Sequence, residues 1–531
     1  MSAVGGGHQP AGTRPGLVPL GWLAALGIGG SILIMIVTSA ARYSASVPLI
    51  PRPAGPLPVE LPVRLPDALV TLGLWAAAIL GGCGVIAGLV AVSRGARYPV
   101  WLLIGAALVS IAALTVLPPA GSTDTVSYAT YGRMALLGHN PYVMTPEQLK
   151  HTGDPIGQLA NLIWRTHPSL YGPLATAEQW AAAKLGGTSA VRIVLWLKFW
   201  NALAFTGVML GLDRLLRADP ARRARAHLLW SVNPLMLWGL VAAGHLDVLA
   251  AAAALLGLAA LRARGHGADG HSVRPAAALA AGMLIGLAAD FMLTYLLLAL
   301  AVAWTLRRSV AGLAAALAGL CATLLPAYAV IGTAIFHNLA TRQGKVSADT
   351  FYQLISATYR HTLPPGVSLL IGLVFVALAI LLLWRLPDAP AGLPAIMPAL
   401  AISIAWLFTW YYQLPWYDTM AVGVLAIYPA SRLDWVVTGQ LTAATVALMP
   451  GSTATLHPHW LARLGFLVSF RLMPAVLFLA LVALVWLCVS RAWNIARRPA
   501  APEPEAPALQ RATAPDRLRP LTAWNAAYQG R

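Results

Sequence analysis

The chain has 531 residues, 58% of them hydrophobic and only 10% charged, with a mean hydropathy of +0.70. That balance excludes a soluble globular protein and points to a polytopic membrane protein built as one unit. The formal net charge of +18 does not mark a nucleic-acid binder, because the arginines cluster at the ends of apolar runs, where they act as topology signals.

Residues 1–17 read as a disordered cytoplasmic tail. They lack the compact basic region and cleavage pattern of a signal peptide, so the first apolar run is expected to remain as a span. A span needs roughly 20 apolar residues. Candidate spans lie near 20–40, 67–92, 99–119, 189–211, 227–244, 246–261, 275–289, 291–306, 309–331, 366–384, 393–411, 419–431, 433–450 and 472–490. The expected fold class is therefore an all-α transmembrane helix bundle of about 12–14 spans. Between Arg274 and Arg307 the chain forms either two short helices turning at Asp290 or one long span.

The Arg-rich connections at 213–227, 262–274, 307–308 and 491–498 are assigned to the cytoplasm. Both termini then lie inside, and residues 120–188, 332–365, 412–418 and 451–471 lie outside. Arg42, Arg52 and Arg64 are exceptions, since they fall on the outer side. One transmembrane domain is expected over 18–498, followed by a Pro- and Ala-rich disordered tail at 499–531. Cys83, Cys321 and Cys488 sit in apolar runs and read as packing residues.

The long outer loop 120–188 opens with "GSTDTVSYATYGRMALLGHNPYV" (121–143). Its middle has helical spacing and ends at Gly138, with "HNPY" as a turn. "HPSLYGP" is a second turn, and 173–185 forms an amphipathic helix with Trp180 suited to the interface. Two short helices lying on the membrane would hold polar side chains at headgroup depth.

Asp124, a few residues beyond a span, reads as a helix N-cap, a base, or both. Glu147 and Asp154, in the polar middle of the loop, read as solvated. His245 and Asp247 lie at an outer junction; their i, i+2 spacing does not share a helical face, so only a turn would converge them. Asp290 interrupts an apolar run, which costs several kcal/mol unless it faces a polar cavity or the surface. His337, Arg342, Lys345 and Arg360 either hold a phosphate or anchor to headgroups. The aromatic run "FTWYYQLPWYDTM" (408–420), around Gln413 and Pro415, reads mainly as an interfacial belt, part of which can line a sugar site. There is no Walker motif, dinucleotide fingerprint, HExxH or internal repeat.

The blocks "TDTVSYATYGRMALLGHNPYV", "HPSLYGPL", "NPLMLWGLVAAGHLDVL" and "YYQLPWYDTMAVGVLA" occur in the order of a known family. The chain resembles actinobacterial polyprenyl-phosphate-mannose-dependent alpha-1,6-mannosyltransferases, within the GT-C membrane glycosyltransferases. The resemblance implies transfer of a sugar, most readily mannose, from a polyprenyl-phosphate donor to a glycolipid or glycan acceptor. It also implies a bacterial plasma membrane, an extracytoplasmic site, and Asp124 as the base. Tyr128, Arg133, His139, Tyr142, Tyr171, His245, Asp247, His337, Arg342, Lys345, Gln413 and Trp416 are the expected substrate contacts. No metal or cofactor is required on this reading, and nucleic acid is not a partner. The rival reading is a transporter or flippase of a lipid-linked sugar, which would want ionisable residues at the membrane midplane.

Overall fold

The computed structural model describes residues 17–51, 56–160, 164–262, 273–356, 362–451 and 456–493. The expected tails, Arg52, Arg360 and most of the 262–274 connection lie outside the described residues.

Every expected apolar segment is helical. Six helices are long and apolar enough to cross a membrane: α1 (Leu17–Ala40), α2 (Asp67–Ser93), Ala190–Leu215, Val310–Ile331, Pro365–Arg385 and the run His459–Ser490. A bent pair, Pro220–Ala242 and Asp247–Ala260, folds back by 116° at a four-residue break. Shorter apolar helices complete the bundle, among them α3 (Val100–Val116), Pro275–Phe291, Leu293–Leu306 and Ile396–Thr409. The chain is thus an all-α, multi-pass membrane bundle. Its sheet content among the described residues is a two-stranded parallel pair, β1 (Ala41–Tyr43) and β2 (Leu61–Arg64).

Small residues set the helix crossings. A Cβ on Gly27 would meet the Leu80 carbonyl at 2.6 Å, and one on Gly84 would meet the Ile28 backbone at 2.8 Å, so α1 and α2 cross backbone to backbone. Gly282 and Gly319 allow the same approach between Pro275–Phe291 and Val310–Ile331. Without a hydrophobic drive between helices in lipid, such close contact supplies the packing. Leu26, Leu33, Trp101, Val330, Trp384 and Leu479 stay exposed on the outer faces, where acyl chains would cover them.

Ala120 to Ala242, Tyr128 to His245, His245 to Trp416, and Asn338 to Tyr142 and Ser169 join the described loop segments at one end of the bundle, and the described Arg-rich connections lie at the other ends of the helices they flank. At the basic end, Arg225 bonds both carboxylate oxygens of Asp434 at 2.5 and 2.7 Å and the Tyr428 and Leu425 carbonyls. Both charges are buried, so each is tolerated only through the other. At the opposite end Arg42 lies 3.7 Å from Glu60, which accounts for one of the basic residues that broke the topology pattern.

The loop 120–188 departs from expectation in one respect. Its first helix, α4 (Asp124–Leu136), is more enclosed by protein than two surface helices would be, with ten of its thirteen residues buried. After α5 (Pro146–His151) the loop returns as α6 (Pro173–Gly186), which packs across α4 where Gly132 abuts the Gln179 backbone. The next helix, α7 (Ala190–Leu215), leads back through the bundle. Trp180 is exposed, with the Lys184 ammonium 4.9 Å from its ring centre.

Arg225→Leu is expected to destabilise the bundle by about 3–5 kcal/mol through the orphaned carboxylate, and adding Asp434→Leu to restore much of it. Thermal unfolding of the two variants in detergent measures the difference.

Candidate active site

Three chain-distant segments meet at the loop end. The first begins at the close of α3, where "LPP" stops the helix. Gly121, at φ +84°, lets the backbone lie against the Trp238 indole, a space a side chain would fill. Ser122 then accepts the Asp124 amide at 3.1 Å, and α4 starts at Asp124. Asp124 is therefore in the first helical turn, with Thr123 as the N-cap residue. One face of α4 presents Asp124 and Tyr128, which lie four residues apart.

The second segment is the elbow of the bent pair. The π-helical run Leu237–Ala242 gives way to Gly244, at φ +73°, and the next helix starts at Asp247. The turn puts His245 against α4. The Tyr128 hydroxyl is 3.2 Å from His245 Nδ1, and the Asp124 carboxylate is 3.9 Å from the same atom. Asp247 Oδ1 and His245 Nε2 are buried without a hydrogen-bond partner among the described residues. Buried polar atoms of this kind call for a missing partner.

The third segment is the aromatic run. Pro415–Asp418 forms a 3₁₀ turn that stacks Trp416 on His245, with ring centres 3.4 Å apart and planes within 14°. Tyr171, from the second turn of the loop, meets Tyr128 edge to face at 5.0 Å. Its position is set by Gly172, which presses on the Asp290 backbone.

The cluster is strongly dehydrated. The Asp124 side chain retains 13% exposure and His245 none. Burial pushes the Asp124 carboxyl up to about 6, partly opposed by a hydrogen bond from Trp164. The Arg342 guanidinium lies 4.8 Å from the Trp164 ring centre and within electrostatic reach of Tyr131, Tyr171 and Tyr412. Burial lowers its pKa from the usual arginine range, and does the same to Lys345 on the periphery. Among the described residues no three His, Cys, Asp or Glu side chains converge as a metal-ligand set.

Of the residues expected from sequence, the structure brings together Asp124, Tyr128, Tyr171, His245, Asp247, Arg342 and Trp416. It places the others apart. Arg133 is paired at 2.8 Å with Asp154, which is buried, not solvated, and also accepts the Ile156 and Gly157 amides. Glu147 sits 3.7 Å from Arg165. His139 and His337 are exposed. Tyr142 bonds the Thr176 hydroxyl at 2.7 Å, and its carbonyl takes the Asn338 amide. Gln413 is tied to Ser347 and to the Trp406 carbonyl. Asp290 lies in the last turn before the break at Met292, so the two-helix alternative holds and the carboxylate is at the loop end of its helix. Trp164, Tyr131, Tyr412 and Tyr417 were missed. The signal for the last two was present in the aromatic run, but nothing local separates an inward ring from a lipid-facing one.

A cavity of about 280 Å³ opens beside the residues that lead into Asp124, between the β1–β2 connection and the start of α7. Val47, Ile50, Leu117 and Val194 line it, and Arg42 stands with them.

Residues 24–308 match the alpha-(1->6)-mannopyranosyltransferase family over its N-terminal domain, which is more than half of the chain. The protein belongs to that family. No curated protein and no solved structure matches the chain. The chain is thus a membrane mannosyltransferase, which needs a sugar donor and an acceptor. The matched region carries Asp124, Tyr171, His245 and Asp247, whereas Arg342 and Trp416 of the same cluster lie beyond it.

In this mannosyltransferase Asp154→Asn should loosen the segment 137–160, since it frees Arg133 and weakens two backbone caps. Limited trypsin digestion is expected to cut at Lys150 several-fold faster than in the parent, in line with local opening.

Proposed function

We propose that the mannosyltransferase moves mannose from a polyprenyl-phosphate donor to a glycolipid or glycan acceptor on the extracytoplasmic face of a bacterial plasma membrane. The observation that carries this reading is Asp124: a dehydrated carboxylate with a small exposed face, 3.9 Å from His245, inside a shell of tyrosines and tryptophans. The apolar cavity beside Leu117 supports a lipid-borne substrate. The loop end, opposite the Arg-rich connections, is the outer end by charge bias.

In the proposed reaction the acceptor hydroxyl attacks the anomeric carbon and gives its proton to Asp124. The bond from that carbon to the phosphate oxygen breaks, and polyprenyl phosphate leaves with the electron pair. A single displacement of this kind inverts the anomeric centre through an oxocarbenium-like transition state. Arg342 is the cation placed to offset charge on the departing phosphate. His245 and Asp247 offer their unpaired atoms to sugar hydroxyls, and Tyr171 and Trp416 supply faces for the ring. No cofactor enters the scheme.

A base near pKa 6 is ionised and competent at neutral pH and is lost as pH falls. The rate kcat/KM should therefore drop below about pH 6 and level off above it. Trp164→Phe removes a hydrogen bond that favours the carboxylate, so the acid limb should move to higher pH. Asp124→Asn should lower transfer from radiolabelled polyprenyl-phosphate mannose by about 10²–10⁴-fold. Transfer at the parental rate by purified Asp124→Asn overturns the assignment.

A further inference from the structure

We propose that Lys198, on α7, is a positioning residue for the transfer reaction, because it closes the end of α3 and so fixes the strut that carries Asp124. The proposal rests on the reading of Asp124 as the base. Lys198 is fully buried, yet no carboxylate is paired with it among the described residues. Its Nζ instead donates to the carbonyls of Leu114 and Leu117, each at 2.6 Å, and of Pro118 at 3.4 Å. Three N–H donors facing three carbonyl oxygens is the full complement of an ammonium group.

The local sequence explains why a remote side chain is needed there. In a continuing helix the Leu114 carbonyl would accept the amide of residue 118, and the Thr115 carbonyl that of residue 119. Both positions are proline, which has no amide hydrogen. Proline at 118 also drives Leu117 out of the helical region, and its ψ is 161°. The end of α3 is thus buried with carbonyls that its own backbone cannot satisfy. Val59 supplies one amide to Val116 at 2.9 Å, and Lys198 supplies the rest of the observed cap. A cation at a helix C-terminus is also favoured by the helix dipole.

The same side chain touches both halves of the site. A Cβ on Gly244 would meet the Thr125 methyl at 2.7 Å and Lys198 Cγ at 3.1 Å. Thr125 follows Asp124 and Gly244 precedes His245. The Lys198 stem therefore forms the floor between them, while its head holds the strut. From there the chain to Asp124 is pinned by Ala120 to the Ala242 carbonyl at 3.2 Å and by Gly121 to the Ser46 carbonyl at 2.8 Å. Losing the cap would let the carboxylate drift relative to His245 and Trp416, and a misplacement near 1 Å costs about 10²-fold in rate.

The test is Lys198→Met, of similar length but without donors, made alone and with Pro118→Ala. Alanine at 118 restores the amide that the Leu114 carbonyl lacks. With polyprenyl-phosphate mannose as donor, Lys198→Met should lower kcat by about 10²-fold, with the donor KM within about threefold of the parent. The double variant should regain about tenfold. Parental kcat in Lys198→Met, a loss confined to KM, or no regain in the double variant overturns the proposal. Should Lys198→Met fail to accumulate, Lys198→Leu, which likewise has no donor, is put through the same three comparisons. Asp124→Asn at the parental rate removes the base reading itself, whereas an inactive Asp124→Asn beside a fully active Lys198→Met removes only the positioning role.

Discussion

A carboxylate taken out of water must be repaid in hydrogen bonds or become neutral, and the loop end of this bundle is organised around that constraint at Asp124. Trp164 donates to it, His245 Nδ1 lies within 4 Å, and Tyr128 bonds that same nitrogen. These partners come from α4, from the loop beyond α5, and from the elbow between two bent helices. None is close to another in sequence, apart from Asp124 and Tyr128. Displacing any one segment changes how well the acid is solvated by the protein, so the bundle's packing and the site's protonation are one problem.

Close backbone approach makes that arrangement possible. Gly121 beneath Trp238, Gly172 against Asp290, and Gly244 against Thr125 and Lys198 each occupy a space that a side chain would block. The aromatic rings then fill the volume between segments and exclude water. Stacked on His245, Trp416 keeps the imidazole plane fixed while leaving Nε2 free of protein partners among the described residues. The same exclusion that raises the carboxyl strengthens every hydrogen bond made to the remaining polar atoms of the cluster.

Charge is distributed with a similar economy. At the basic end Arg225 and Asp434 neutralise each other. Near the site Arg133 is neutralised by Asp154, so its charge stabilises the loop and is not available to an anion. Arg342 differs: among the described residues it faces aromatic rings and phenols, beside Asp124's partner Trp164, and makes no salt bridge to a carboxylate. A guanidinium so placed is suited to a phosphate.

The helical class and the location of each apolar segment followed from sequence alone, because a membrane span imposes a length and an apolarity that local composition must reveal. The blocks that carry the family resemblance were legible for the same reason, being continuous. Which candidates meet was not legible. Arg133 and Arg342 look alike in sequence; only the fold gives one an aspartate and the other a tryptophan. Asp154 sits in a polar loop and is nevertheless buried. His245 and Asp247 share no helical face, and a turn at Gly244 settles what spacing could not. Lys198 lies in an apolar span, and nothing local ties it to the Leu114 and Leu117 carbonyls at the proline-terminated end of α3, eighty residues upstream. Segment character is local and so is written in the chain, whereas pairing depends on long-range packing between segments, and that was decided only by the tertiary structure.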